Sequence, residues 1–345
     1  MEHTGCWFLH SGIQEPNGGV ARYHRSDIGQ NAPVSTEITG YAVSALAYLH
    51  SLTGNGGYLD AAVRAARYLT RDAWDSAIDT YPFEPGSPHA YFFDIGIIVR
   101  GLFAAWRSTG QEEFRARARD AALSLAFDFL DDGVFHPVIT LPDKQPLAYE
   151  PRWSRTPGCY QLKSALAWLE VGDEQASRLF ESVLAYSLVT HESFLPGDAN
   201  REKVMDRLHA YCYFLEALLA VADRDEVRGA LASGIGRTAD LLRVIGPEFE
   251  RSDVCAQLLR VRLIAHHLGA VPLDEYAAAF EAERAASHQS DSPDPRLHNG
   301  FWFGRKGAKF LPFMNPVSTA FCMQALMLWE QHRAGKWSFQ LHQLI

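Results

Sequence analysis

Three acids, Glu37, Asp94 and Asp253, each fall in the opening turn of an apolar helical segment. A pair of carboxyl groups flanking one bond is what glycoside hydrolysis requires, one as general acid and the other as base or nucleophile. His209, Tyr211 and Tyr213 open a further such segment, and Arg152 and Arg251 precede two others. A His or Tyr base beside an Arg that clamps a carboxylate suits different chemistry, proton abstraction next to a carboxylate, as in β-elimination or epimerisation at a uronate. On types alone, Asp94, Asp253, Glu37 and His209 are the candidate catalytic residues.

Each has a structural explanation beside the chemical one. An acid in a first helical turn stabilises the helix dipole with no further role. Ser35 with Thr36, and Ser318 with Thr319, read as N-caps. Tyr211 and Tyr213 fit a core of aromatic rings, and His266 and His267 sit where a helix C-terminus favours a cation. What favours chemistry is recurrence: the polar groups gather at the same end of successive apolar helices.

Six such helices are expected, at Ser35–Gly54, Phe92–Gly110, Gly158–Gly172, Leu208–Asp223, Ser252–Gly269 and Pro316–Gly335. Their apolar residues cover nearly every face, the pattern of a buried helix. Amphipathic helices follow the first five, at Tyr58–Thr70, Glu112–Phe129, Asp173–Leu188, Asp225–Ile245 and Leu273–Ala286. The glycine closing most of the buried helices suits a left-handed C-cap. After Gly335 only KWSFQLHQLI remains, too short for a sixth amphipathic partner. Residues 1–34, rich in Gly, Asn and Pro, read as an irregular arm, and Gly18-Gly19 would let it lie across the start of the first buried helix.

If the buried helices run parallel, their starts collect Tyr41, Tyr160, Gln161, Tyr211, Tyr213, Gln257 and Asn315, with Arg152, Trp153 and Arg251 just upstream. These are the candidate ligand-binding groups. Trp302 joins them from the aromatic and basic linker His298–Asn315, which reads as a lid or a wall rather than a spacer. Glu37, Asp94, His209, Arg251 and Asp253 are expected to open on one cavity.

The layout, and the stretch FDIGIIVRGLFAAWRSTGQEEFRARARDAA in particular, resembles the inner-then-outer hairpins of the six-hairpin (α/α)6 toroids among carbohydrate-active enzymes. The resemblance implies an all-α fold, with residues 1–345 as one domain built from hairpins over 35–335. It also implies an oligo- or polysaccharide ligand. Glycoside hydrolysis is the leading activity; a uronate lyase or epimerase, or a non-catalytic glycan-binding or polysaccharide-assembly protein, are the alternatives. The aspartate-rich DxDD motif of the other helical toroid, the terpene-cyclase type, is missing.

Composition narrows the field. The 345 residues carry a net charge of −9, which argues against a surface that tracks nucleic-acid phosphates. No run approaches the length of a membrane span, and no basic-then-apolar leader opens the chain. Five cysteines without a CxxC pair suit packed, reduced thiols and a cytoplasmic location. A zinc site from Cys159, Cys212 and His209 would lack close-spaced ligand pairs, so no metal and no cofactor is expected.

Overall fold

A computed structural model of the protein describes residues 2–195 and 200–345. Helices dominate: α1 (Glu2–His10), α2 (Thr36–Thr53), α3 (Gly56–Arg67), α4 (Phe92–Thr109), α5 (Glu112–Phe127), α6 (Leu162–Val171), α7 (Glu174–Phe194), α8 (Arg201–Leu218), α9 (Asp225–Ile245), α10 (Ser252–His267), α11 (Glu275–Ala286) and α12 (Pro316–Arg333). The chain forms two compact units. One comprises residues 12–22 and 32–187, the other residues 1–11, 23–31 and 188–345.

In the first unit, α2, α4 and α6 are the buried helices, and α3 and α5 pack on them with one apolar face each. Gly54, Gly110 and Gly172 end the three buried helices at φ 67°, 70° and 77°, the left-handed region a side chain disfavours. α2 and α4 meet almost backbone to backbone. A Cβ built on Gly101 would lie 2.5 Å from the Gly40 carbonyl oxygen, and one on Gly96 would lie 2.5 Å from the Ser164 Cα on α6. Rigid backbone cannot swing aside, so Gly101→Ala must push two helices apart. A loss of about 1–3 kcal/mol or more is expected on thermal or urea unfolding. A variant as stable as the parent would mean that this contact is loose.

The short strands set where the buried helices begin. His89–Tyr91 runs straight into α4 and pairs antiparallel with Val138–Thr140. In the second unit, Phe249–Arg251 runs into α10 and pairs with Gly304–Lys306, and Phe313–Met314 precedes α12 and pairs with His24–Arg25. Each pairing anchors a helix entrance through backbone hydrogen bonds, so the first-turn side chains are held from both ends.

The second unit corrects two expectations. The opening residues are not wholly irregular: α1 is a helix, and it packs against α12. Its Trp7 is buried and donates from Nε1 to the Arg296 carbonyl at 2.9 Å. The missing amphipathic partner of α12 is thus supplied from the other end of the chain. Gly5, Trp7 and Phe8 are modest helix formers, so packing rather than propensity holds this helix. α8 starts at Arg201 with Asn200 as its cap, not at Leu208, because its first turns are polar and hide the boundary. The linker before α12 is largely a small sheet in which Gly304–Lys306 also pairs with Lys309–Phe310. Its Arg305 and Lys306 are engaged by Glu250 at 3.2 Å and Glu202 at 2.8 Å.

In the first unit, the third buried helix is likewise shorter than expected. Cys159–Gln161 forms a 3₁₀ turn before α6. Among the described residues no helix is long and apolar enough to cross a membrane.

Candidate functional site

Glu37 and Asp94 lie in the first turns of α2 and α4. The arm reaches them as the glycine pair suggested: Val20 donates its N–H to Thr39 Oγ1 at 2.9 Å, and its carbonyl accepts from Ser35 at 3.1 Å. Gly18 and Gly19 make this possible, since a Cβ on either would strike Arg64 or Val34. The arm delivers Arg22, whose Nη2 binds Glu84 Oε2 at 3.1 Å while its guanidinium stacks 4.7 Å over Phe83.

Asp94 is 6% exposed, and its Oδ2 is buried with no hydrogen-bond partner among the described residues. Burial pushes its pKa well above the carboxylate range, the negative charge of Glu37 adds to the rise, and Arg22 opposes it. Glu37 keeps partial access to solvent. The protein packed around it still raises its pKa to about 7, against the pull of Arg22. Two neighbouring carboxyls with raised proton affinities are the groups that acid–base chemistry uses. Aromatic rings surround the helix entrances. Phe83 and Tyr91 lie 5.0 Å apart, Arg155 stands 5.8 Å over Tyr91, and Trp153 meets the edge of Tyr160 at 5.1 Å.

The second unit holds a different constellation. Arg251 grips Asp253 with two parallel hydrogen bonds of 2.9 and 2.6 Å and reaches Asp206 at 2.9 Å. Its guanidinium lies 4.5 Å over the Phe303 ring. Burial alone would raise the Asp253 pKa, but Arg251 and His209 outweigh it, so the carboxyl is held below its ordinary range. His209 Nδ1 is 2.8 Å from Gln257 Oε1 and 3.4 Å from Asp253 Oδ2. Both are acceptors, so Nδ1 carries the proton and Nε2 presents a lone pair. Burial lowers the His209 pKa to about 4, helped by Arg251 and opposed by Asp253. The ring is neutral at physiological pH. Tyr213 sits edge-on to it at 4.5 Å, and the Gln257 amide nitrogen is buried without a partner among the described residues.

The other candidates fall into several environments. Gln161 is tied up by backbone, donating to the Phe135 carbonyl at 2.9 Å and accepting from Gly158 at 3.0 Å. Asn315 caps α12 through the N–H groups of Val317 and Ser318. Tyr211 is buried, with its hydroxyl 3.0 Å from His191 Nδ1. Tyr41 is buried within α2, and Arg152 is exposed beside the 3₁₀ turn Trp153–Arg155. Trp302 stacks on Phe310 at 5.9 Å. The structure therefore groups Glu37 with Asp94 in one unit, and His209, Arg251, Asp253 and Gln257 in the other. Among the described residues no three His, Cys, Asp or Glu side chains already converge as a metal-binding group.

Three contributors are not marked in the sequence. Arg22 and Glu84 sit in loops with no periodic pattern, and only the Gly18-Gly19 pair hinted that the arm approaches a helix. Phe303 is one of several linker aromatics, and nothing local marks it as the ring that Arg251 lies across.

The sequence matches no family model and no curated protein. The fold is similar to that of cellobiose 2-epimerase from Spirochaeta thermophila, with a TM-score of 0.73 at 15% identity over 96% of each chain. It is similar to a D-mannose isomerase, TM-score 0.69 at 11% identity over 94% of this chain and 96% of that one. It is also similar to an α-mannanase of glycoside hydrolase family 76 from Bacteroides thetaiotaomicron, TM-score 0.66 at 13% identity over 97% of each. At such identities the likeness shows the fold, the all-α (α/α)6 toroid of helical hairpins that the sequence resembles.

Proposed function

We propose that the protein is a carbohydrate-active enzyme that cleaves a glycosidic bond in an oligo- or polysaccharide, with Glu37 and Asp94 as its proton-exchanging carboxyls. The observation that carries this reading is the pair itself: two carboxyls at adjacent helix starts, both with raised proton affinity, and an oxygen on Asp94 buried with no partner among the described residues. A capping acid has no need of a raised pKa; a general acid does. In the singly ionised pair one carboxyl keeps its proton for the leaving oxygen, and the other is the carboxylate that acts as base or nucleophile. Tyr91, Trp153 and Phe83 offer faces for sugar rings. The guanidiniums of Arg22 and Arg155 suit a substrate with an acidic substituent. The similar solved structures include enzymes named for cellobiose, mannose and mannan, which agrees with a saccharide substrate. The buried thiols of Cys159, Cys212, Cys255 and Cys322 accord with a cytoplasmic location.

A second reading draws on His209. A neutral imidazole with Nδ1–H held by Gln257 and Asp253 and its lone pair on Nε2, next to a buried guanidinium, is equipped to take a proton from carbon beside a carbonyl or carboxylate. Asp253 would then hold Arg251 and the ring in place rather than exchange protons. This is the chemistry of a sugar isomerase, epimerase or lyase.

Reactions with a panel of neutral and uronate-containing oligosaccharides separate the two. In ¹⁸O-water, hydrolysis places ¹⁸O at the newly formed reducing end. In D₂O, isomerisation or epimerisation leaves deuterium on the sugar carbon. We expect the first label, with little effect from His209→Gln. Deuterium incorporation that His209→Gln abolishes would move the assignment to the second reading. Binding without turnover would mark a glycan-binding protein.

A further inference from the structure

At the C-terminal ends of α10 and α12 three histidines cluster on the surface of the second unit, and neither proposed activity uses them. His267 Nε2 lies 3.2 Å from His332 Nδ1. His332 Nε2 lies 2.9 Å from Glu275 Oε1, at the first turn of α11. A carboxylate only accepts, so His332 Nε2 carries the proton and its Nδ1 offers a lone pair toward His267. His267 is exposed and is held flat against Trp337, with ring centroids 3.7 Å apart and planes 11° from parallel. His332 is stacked in turn against Trp329 at 5.7 Å and 17°.

This is how a metal-binding imidazole is prepared: the ring nitrogen away from the metal donates to a carboxylate, which fixes the tautomer and strengthens the ligand. Two imidazole nitrogens on one tetrahedral zinc, each about 2.0–2.1 Å from it, stand about 3.3 Å apart. The spacing between His267 Nε2 and His332 Nδ1 already matches, and one bridging proton holds it in this structure.

We propose that His267 and His332 form a surface site for a borderline divalent cation, such as zinc, nickel or copper, with Glu275 as the orienting carboxylate. Binding moves the shared proton from His267 Nε2 to its Nδ1 through solvent, so the neutral ring offers Nε2 to the metal and no net proton is lost. Water fills the remaining positions. The site ties the ends of α10 and α12 to α11 and to the Trp337 segment.

The test uses chelator-treated full-length protein without a histidine tag, titrated separately with Zn²⁺, Ni²⁺ and Cu²⁺. Calorimetry should show one cation per chain, with copper tightest, as imidazole donors dictate. Cu²⁺ should quench tryptophan fluorescence, because Trp337 and Trp329 stack on the two ligands. His267→Gln and His332→Gln should each weaken binding at least about thirtyfold and remove the quenching. Glu275→Gln should weaken it about tenfold. Circular dichroism of the cation-free variants confirms that each is folded. Binding that is unchanged in either histidine variant, or the lack of any binding up to millimolar cation, overturns the proposal.

Discussion

Glu37→Gln and Asp94→Asn are each expected to lower kcat by about 100- to 10,000-fold, the usual worth of a positioned acid or base, without lowering stability at pH 8. The pairing of these outcomes is what separates chemistry from capping. Glu37 has a folded-state pKa of about 7, above its ordinary value of 4.5. Between those values the folded protein binds more protons than the unfolded chain, so this group makes stability fall as pH rises through that window. Above pH 7 the full penalty of a confined carboxylate remains, and a neutral amide removes it. Glu37→Gln should therefore gain about 1–3 kcal/mol at pH 8 and little at pH 4. An acid that merely capped α2 would give the opposite result, a loss of about 0.3–1 kcal/mol at pH 8.

The same pKa shapes the rate. If the singly ionised pair is the working form, kcat/KM rises as the first of the two carboxyls ionises and falls again where the second gives up its proton. Removing the Glu37 charge relieves the like-charge repulsion on Asp94, so the Asp94 pKa should drop in Glu37→Gln, readable from carboxyl signals in an NMR titration. An unmoved Asp94 together with a near-normal turnover rate would remove the pair from the mechanism.

The largest effect on stability is expected at Arg260. It is fully buried on α10, bound to Glu216 of α8, which is equally buried, and to Gln324 of α12 at 3.0 Å. Its guanidinium lies 4.0 Å over Phe321. The pair joins the three buried helices of the second unit. Arg260→Met leaves the Glu216 carboxylate without its counter-charge and should destabilise the protein by about 3–5 kcal/mol. Arg260 Nε is buried with no partner among the described residues, so the pair itself is not fully satisfied. The double variant Arg260→Met with Glu216→Leu should consequently recover most of the loss. Unfolding by urea or heat of the parent, the single and the double variant measures this. A single variant within 1 kcal/mol of the parent, or a double variant no better than the single, would mean that the charges are screened or unimportant.

How much of this could be read from the residues varies element by element. α2, α4, α9, α10 and α12 fall close to their expected spans, because apolar bodies, capping groups and stop glycines are local signals. α1 was hidden, because its helix depends on packing against α12, a partner more than three hundred positions away in the chain. The start of α8 was hidden by its polar first turns, so His209 stands in the third turn of a helix and not at its entrance. Gln161 and Asn315 were named for their types, and those types serve equally well to bind backbone, which is where the structure finds them.

By itself the sequence determined the alternation of buried and amphipathic helices and the acids at their starts, since periodicity, caps and glycine stops act over a few residues. Tertiary structure decided what each acid is. Asp94 and Asp253 begin as the same residue in the same helical position. Asp94 meets another carboxyl in a buried setting, which raises its proton affinity, whereas Asp253 meets a bidentate guanidinium, which lowers it. Proton affinity depends on burial and on charges a few ångströms away, and those neighbours come from distant parts of the chain. Arg22 reaches the first acid through the arm, and Arg251 reaches the second from the strand before its helix. No local pattern distinguishes the two acids; the folded positions of those neighbours do.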